Sequence, residues 1–428
     1  MKRSAMLRRH FVCLLAFLAA LLVLGSTTDS VKETPAAPAS APPRPPSPLS
    51  DPSWALGLRL YQVLRSTRAG SQNTLFSPLL LASSLGALSG GSRGTTSSQL
   101  LDLLKTPSPP KAGPQAGEIL SQALRSLAEA NGTSFRLHSS SSLFSKQAPS
   151  IDLAFVKESQ ARFGLQHQPL GKGDSKADLE QLHAWAKAGL GGLDGAPLGA
   201  EIKANAGALL LANALNFKGL WEREFGEDSM DRRTFLGTKY TKVQMMHKAG
   251  LHRHYEDMEN MVQVLEIGLS GGKVSMVLLL PFHIESLTRL DKLLTVEILT
   301  SWLEKTTDMS IAISLPKANI TSTLSLQKQL AALGLTDAWD QKTADFSGVS
   351  SKSRGKLHLG SVLHWASLEL AAEAGEGAAK LGDEMLGKPK LFYADHSFIV
   401  LVRDNATGAL LLIGALDHAE GEALHDEL

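Results

Sequence analysis

Long apolar runs, separated by stretches with helical patterning, constrain the fold of this 428-residue chain more than any other feature. Several runs carry apolar side chains at successive positions rather than at alternate ones, which is typical of strands in a sheet that is covered on both faces. The runs predicted as strands are 208–217, 262–267, 274–280, 311–315, 398–403 and 410–414. Runs of this kind separated by helices predict a large domain that mixes α and β structure.

Two of the helical stretches carry clear signals. Residues 79–88 form an apolar helical run that begins after a Ser-Pro pair at 77–78, where Ser caps the helix and Pro occupies its first turn. A Gly pair at 90–91 ends this helix. A second, amphipathic helix is predicted at 178–188. Because the composition is evenly globular and no internal repeat appears, we expect a single domain over residues 53–418.

Both ends of the chain carry targeting signals. Residues 1–10 are basic and residues 11–25 are uncharged and apolar. This apolar run is shorter than the ~18 to 20 residues that span a bilayer, so residues 1–26 are predicted to be a cleavable signal peptide. The C-terminal tail, 419–428, ends in a retrieval signal of the HDEL type, formed by His425, Asp426, Glu427 and Leu428. A receptor reads this signal, so we expect a protein of the endoplasmic-reticulum lumen, without membrane insertion, that has the HDEL/KDEL receptor as a partner.

The segment between the signal peptide and the domain has a different composition. Residues 27–52 are rich in Pro, Ser and Ala and have too little apolar surface to fold, so they are predicted to be a disordered tether. The only cysteine, Cys13, lies in the signal peptide, so burial alone must stabilise the mature fold. A formal net charge of +1 argues against a nucleic-acid partner. No nucleophile-elbow or metal-protease motif is present, so we expect neither enzymatic activity nor a cofactor.

Five short motifs, in a fixed order over most of the mature chain, are similar to motifs of the serpin family. They are NTLFSP at 73–78, NALNFKGLW at 213–221, LPK at 315–317 followed by a leucine pattern at 324–335, DHSF at 395–398 and LLIG at 411–414. The resemblance implies an α+β fold in which several helices pack on three β-sheets. It also implies an exposed loop like the reactive-centre loop of the family.

Within the family, the chain is most similar to the collagen-binding heat-shock chaperones of the endoplasmic reticulum. The segments that carry this similarity are KLFYADH at 390–396, AISLPK at 312–317 and residues 235–247, which include MMH. The resemblance implies a stress-response chaperone, expected to be a monomer, that binds X-Arg-Gly sites of the procollagen triple helix. The collagen-binding positions that it carries over are Asp395, Leu391, Tyr393, Arg233 and Ser314.

The chemistry of these residues agrees with such a site. Residues 391, 393 and 395 alternate, so on a strand they project from one face and form an apolar platform that ends in a carboxylate. The triple helix exposes its X and Y side chains, and the guanidinium of an exposed arginine suits a carboxylate bidentately. The alternative is ordinary core packing for Leu391 and Tyr393, with Asp395 as a turn or cap residue.

Histidines form a second group of candidates. Because histidine changes its charge near pH 6.5, these residues are candidates for a pH switch between compartments. The candidates are His247, His252, His254, His283 and His396. Protonated His396 would compete with the collagen arginine for Asp395 and so favour release on acidification. The alternative is a zinc site that uses His252 and His254, although neither cysteine nor a matching carboxylate set accompanies them, and we expect no metal.

Protease inhibition is the rival function within the family. An inhibitory serpin inserts its cleaved loop as a new strand, which requires small uncharged residues at alternate positions. In one register the loop at 373–384 would bury Glu376 and Lys380 at a cost of several kcal/mol each, whereas the opposite face would insert easily. We therefore expect a non-inhibitory protein, with a lumenal serine protease inhibitor as the alternative.

Three sequons make the chain a candidate glycoprotein. They begin at Asn131, Asn319 and Asn405. Asn405 falls in an expected hairpin turn, where an acceptor is accessible. Asn319 is expected near the client-binding face, where a glycan would interfere, so its use is not expected.

Overall fold

The computed structural model describes residues 51–67, 72–105, 116–147, 150–171, 175–195, 197–198, 207–353, 356–375 and 387–424. The signal peptide, all but the last two residues of the tether, most of the loop at 373–384 and the retrieval signal lie outside these residues. The predictions for those segments therefore stay predictions.

Within the described residues the chain forms nine α-helices. They are α1 (Pro52–Thr67), α2 (Pro78–Gly91), α3 (Gly94–Leu103), α4 (Ala116–Ala130), α5 (Leu153–Phe163), α6 (Ser175–Gly189), α7 (Thr288–Leu293), α8 (Val296–Lys305) and α9 (Gln327–Ala332). The predicted helices at 79–88 and 178–188 are confirmed as parts of α2 and α6. In α2 the Ser77 hydroxyl accepts a hydrogen bond from the Leu80 N–H at 3.2 Å, and Pro78 occupies the first turn.

Fifteen strands are present in the same residues. They are β1 (Thr74–Phe76), β2 (Phe135–Lys146), β3 (Leu165–Leu170), β4 (Ala208–Gly219), β5 (Met230–Leu236), β6 (Tyr240–Asp257), β7 (Val262–Gly268), β8 (Val274–Pro281), β9 (Thr307–Pro316), β10 (Ala318–Ser325), β11 (His358–Leu370), β12 (Lys390–Tyr393), β13 (Phe398–Asp404), β14 (Leu410–Leu416) and β15 (Glu422–Ala423). All six predicted strands are confirmed. Strands β8, β13 and β14 are buried at every position, as expected for a sheet that is covered on both faces.

The strands of the described residues form two hydrogen-bonded sheets. The five-stranded sheet has the order β10-β11-β4-β2-β3. The ten-stranded sheet has the order β1-β14-β13-β8-β7-β6-β9-β12, and β5 and β15 also pair with β6. The mixed architecture expected from the sequence is confirmed.

The sheet count differs from the expected three because of one long strand. Strand β6 has 18 residues and pairs along its length with different partners. Its first part pairs with β5, its middle with β9 and its last part with β7. Two expected sheets are therefore continuous through the backbone hydrogen bonds of β6.

The folded part begins slightly earlier than predicted. Pro52, assigned from its composition to the tether, is the first residue of α1, and Asp51 is buried before it. The Trp54 indole N–H donates to the Gly408 carbonyl oxygen at 2.6 Å and so anchors α1 to the last hairpin. No helix among the described residues is long and apolar enough to cross a membrane.

Candidate functional site

The candidate site is built around β12, the edge strand of the ten-stranded sheet. Strand β12 runs parallel to β9, with Leu391 opposite Ala312. Side chains alternate as predicted: Phe392 and Ala394 are fully buried, whereas 71% of Leu391 is exposed and Tyr393 is half-buried. Core packing is therefore wrong for Leu391, which presents an apolar side chain to solvent at the sheet edge.

Asp395 lies just beyond the end of this strand. Its backbone carbonyl oxygen accepts a hydrogen bond from the Leu236 N–H at 2.6 Å, which ties the β12 segment to β5. Its carboxylate contacts the His396 Nδ1 atom at 2.8 Å. The Asp395 carboxylate therefore pairs with the His396 side chain. The alternative, a turn or cap residue, would have its carboxylate on a backbone N–H.

Contacts of His247 link Ser314 and Arg233 to Tyr393. His247 on β6 is opposite Ser314 on β9, which is opposite Tyr393 on β12. The His247 ring stacks with the Tyr393 ring at a centroid distance of 6.5 Å. Its Nδ1 lies 2.8 Å from the Ser314 hydroxyl, and its Nε2 lies 2.9 Å from an Asp231 carboxylate oxygen. Asp231 in turn binds Arg233 at 2.6 Å, so a chain of contacts links Arg233 and Ser314 to Tyr393.

Asp231 is the residue that sequence reasoning missed. Its pKa is held below the usual value, mainly by the hydrogen bond from Arg233 and then by that from His247. Asp231 and Arg233 alternate on β5, which was the available signal. Burial raises the pKa of Tyr393, and the carboxylate of Asp395 adds to this while Arg233 opposes it. The site therefore mixes two carboxylates, one guanidinium and an aromatic ring.

His396 ties the Asp395 carboxylate to the body of the domain. Its Nε2 atom lies 2.9 Å from the Pro281 carbonyl oxygen, and its Nδ1 atom lies 2.8 Å from the Asp395 carboxylate. A carbonyl oxygen and a carboxylate only accept hydrogen bonds, so either ring nitrogen can serve here as a donor. The ring is therefore held between Pro281 and Asp395.

The other histidine candidates differ in exposure and in surroundings. His283 is exposed after β8. Burial, helped by Lys248 and Arg223, lowers the pKa of His252 to about 3, and burial also lowers the pKa of His254. His252 therefore stays neutral between pH 5 and 7.5, which corrects its place among the switch candidates. In the part of the chain that the structure describes, no group of three or more His, Cys, Asp or Glu side chains is arranged to hold a metal ion.

Comparisons with known proteins identify the family. The model of the family described as "Serpin (serine protease inhibitor)" matches residues 53–418. The chain belongs to the serpin family. It is similar to Serpin H1 of Mus musculus, with 37% identity over 383 residues that cover 89% of this chain and 90% of that protein. It is also similar to Serpin H1 of Gallus gallus, with 34% identity, 89% of this chain and 93% of that protein.

Solved serpin structures share the fold. Uncleaved ovalbumin matches with a TM-score of 0.76 at 23% identity, over 86% of this chain and 99% of that chain. Native protease nexin-1 with heparin matches with a TM-score of 0.74 at 22% identity, over 86% of this chain and 98% of that chain. At these identities the likeness supports the fold alone.

The loop at 373–384 follows β11, a strand of the five-stranded sheet. Strands β4 and β11 pair directly in parallel, from His358 opposite Ala208 to Glu369 opposite Lys218. The start of the loop is fixed at Gly375, whose N–H donates to the Trp221 carbonyl oxygen at 3.0 Å. Residues 376–384, whose charges carried the argument against insertion, lie outside the described residues.

The three sequon asparagines differ in the hydrogen bonds and exposure of their side chains. The Asn131 amide exchanges two hydrogen bonds with the Leu137 backbone, and the Asn405 amide nitrogen donates to the Gly272 carbonyl oxygen at 3.0 Å. Asn319 is exposed on β10, in the five-stranded sheet, whereas the candidate site lies on the ten-stranded sheet. Asn319 is therefore accessible, and the objection that a glycan there would interfere with the client stays a prediction.

Proposed function

We propose that this serpin is a non-inhibitory, collagen-binding molecular chaperone of the endoplasmic-reticulum lumen. It binds X-Arg-Gly sites of the procollagen triple helix and releases them on acidification. The observation that carries the proposal is the exposed face of β12, where Leu391, Tyr393 and Asp395 alternate with fully buried residues. The similarity to Serpin H1 of several species supports the chaperone role.

The chemistry of this face suits a triple helix that carries an arginine. The Asp395 carboxylate receives the guanidinium of the exposed arginine in a bidentate pair. Leu391 and Tyr393 cover the apolar part of the same triplet, and Ser314 and Arg233 flank the pair. Because the chaperone binds the folded triple helix, binding stabilises that form and masks its surface from lateral association.

Release on acidification follows from the competition between two cations for Asp395. At neutral pH the collagen arginine holds the Asp395 carboxylate. On acidification a protonated His396, whose Nδ1 atom lies 2.8 Å from that carboxylate, competes with the arginine and the affinity for collagen falls. The other charged or titratable groups of the site are Tyr393 on β12, His247 on β6, and Asp231 and Arg233 on β5. The HDEL signal then returns the empty chaperone through its receptor.

Retention on collagen tests the proposal. Wild-type protein is expected to be retained on immobilised triple-helical collagen at pH 7.4, and Asp395→Ala to pass through. Glu129→Ala, which removes an exposed carboxylate on helix α4, is the matched control and is expected to behave as wild type. Equal retention of the Asp395→Ala variant and the wild type refutes the assignment.

The alternative is a lumenal serine protease inhibitor, which the description of the matched family favours. An inhibitory serpin forms a complex with its protease that survives on a denaturing gel. Such a complex with any serine protease would establish the alternative. Cleavage of the loop without a stable complex supports the chaperone.

A further inference from the structure

We propose that the collagen-binding face extends beyond β12, across β9 to β6, and that Leu251 is its second apolar anchor. This inference rests on the proposed function. Its occupant is the neighbouring stretch of the same triple helix, on the side of Leu391 that points away from Asp395. The inference adds a residue and a sequence preference that the resemblance does not carry over.

Strand register places Leu251 on the same face as Leu391. Leu391 is opposite Ala312, and Ala312 is opposite Ala249. Residues opposite each other on neighbouring strands share a face, and Leu251 follows Ala249 by two positions, so it also lies on this face. Its exposure agrees, since 57% of Leu251 is accessible to solvent.

The opposite face of the same strands belongs to the core. Ile311 and Ile313 alternate with Ala312 on β9, and both are fully buried. The exposed leucines are therefore not residues of an incompletely packed core. They lie on the outer side of a sheet whose inner side is closed.

The dimensions suit a rod. Two interstrand spacings and a two-residue offset separate Leu391 from Leu251 by about 12 Å. A chain in the collagen conformation rises about 3 Å per residue, so Leu251 faces a position about four residues from the one that faces Leu391. Asp395 lies on the other side of Leu391, because it follows that residue by four positions along the strand direction.

Side-chain size shapes the surface between the two leucines. Ala249 and Ala312 carry nothing beyond Cβ, so the floor between Leu391 and Leu251 is low, and the two leucines form its borders. Ser310, opposite Leu251, adds no charge between the two leucines, and the exposed Asp308 lies two positions further along β9, at the border of this surface. Isolated exposed apolar residues are ordinary, but this pair is continuous with a face that already carries the candidate site.

An uncharged trough of this kind favours collagen triplets with apolar side chains over triplets with charged ones. Proline side chains at the X and Y positions of the triple helix are apolar and match the leucine borders. A charged side chain there would lose water without gaining a partner. The chaperone therefore prefers an Arg triplet whose flank on the Leu251 side is rich in proline over one whose flank carries glutamate.

Triple-helical peptides with a single Arg triplet test the inference. Leu251→Ala is expected to weaken binding of the proline-flanked peptide about five- to tenfold and to abolish the preference over a glutamate-flanked peptide. Leu153→Ala is the matched control, because Leu153 is 65% exposed and lies on helix α5. Both variants should unfold at the wild-type urea midpoint, since neither side chain is part of the core.

A second variant tests whether binding requires the low surface between Leu391 and Leu251. Ala249→Phe raises the floor without creating a charge and is expected to weaken binding at least as much as Leu251→Ala. If Leu251→Ala and Ala249→Phe both bind as wild type while Asp395→Asn still fails to bind, the extension is wrong and the proposed function stands. If wild type does not bind, or if binding is indifferent to Asp395, both are wrong.

Discussion

A buried histidine makes the stability of this serpin depend on pH in a way that can be worked out from its contacts. His364 on β11 is fully buried, and its Nε2 accepts a hydrogen bond from the Ser77 N–H at 2.9 Å, at the N-terminus of α2. Burial lowers its pKa to about 3. An imidazolium could not accept that bond, so protonation removes a contact at the start of the helix.

The sign and size follow from the two pKa values. The unfolded chain binds a proton at His364 near pH 6.5, whereas the folded chain binds it near pH 3, so stability is lost as the pH falls below 6.5. At pH 5.5 about ten unfolded molecules in eleven are protonated at this residue while the folded form stays neutral. The free energy of unfolding therefore falls by about 1.4 kcal/mol between pH 7.5 and pH 5.5 on account of His364 alone.

Urea unfolding at the two pH values measures this contribution. In His364→Gln the amide oxygen is able to accept the Ser77 bond but does not titrate, so the drop in unfolding free energy should be smaller than in wild type by about 1.4 kcal/mol. His283→Gln, at an exposed position, should show the wild-type drop. An unchanged drop in His364→Gln would refute the reasoning. The measurement also separates acid-induced loss of stability from acid-induced release of collagen.

Two further predictions concern the sheet edge and the sequons. Leu391→Ala should change the free energy of unfolding by less than about 0.5 kcal/mol, whereas Phe392→Ala, at the adjacent buried position, should lower it by about 3 to 5 kcal/mol, as measured by urea unfolding. Similar losses in both would contradict the alternation on β12. Protein from a secretory host should shift on a gel after glycan removal, and Asn319→Gln should abolish part of that shift whereas Asn405→Gln should not. A shift that depends on Asn405 would show that its amide is free when the glycan is attached.

The sequence predicted the elements whose side chains are mostly apolar and buried. Helix α2 and strands β8, β13 and β14 are predominantly apolar, and Ser and Pro mark the start of α2. Strand β2 was missed because serines occupy much of its middle and most of its first half is exposed. The tertiary pairing of such a segment, rather than its own pattern, makes it a strand.

In the candidate site, too, local patterning was predictable and tertiary contacts were not. Alternation along 390–396 predicted which side chains face outward, because successive side chains of a strand point to opposite faces. The role of Asp231 and the tertiary contact that holds His396 were not predictable, since they depend on distant segments. The His396 ring is oriented by the carbonyl oxygen of Pro281, which is 115 residues away in the chain. No local pattern carries that information.

The pairing of Asp395 with a collagen arginine is the central claim, and a double-mutant cycle tests it most directly. Affinities of wild type and Asp395→Asn would be measured by titration calorimetry at pH 7.4 for two triple-helical peptides, one with Arg and one with Ala at the Y position of the same triplet. The account predicts that wild type loses about 2 to 5 kcal/mol of binding free energy when Arg becomes Ala, and that Asp395→Asn distinguishes the two peptides by far less. If Asp395→Asn discriminates between the peptides as strongly as wild type does, the claim is contradicted.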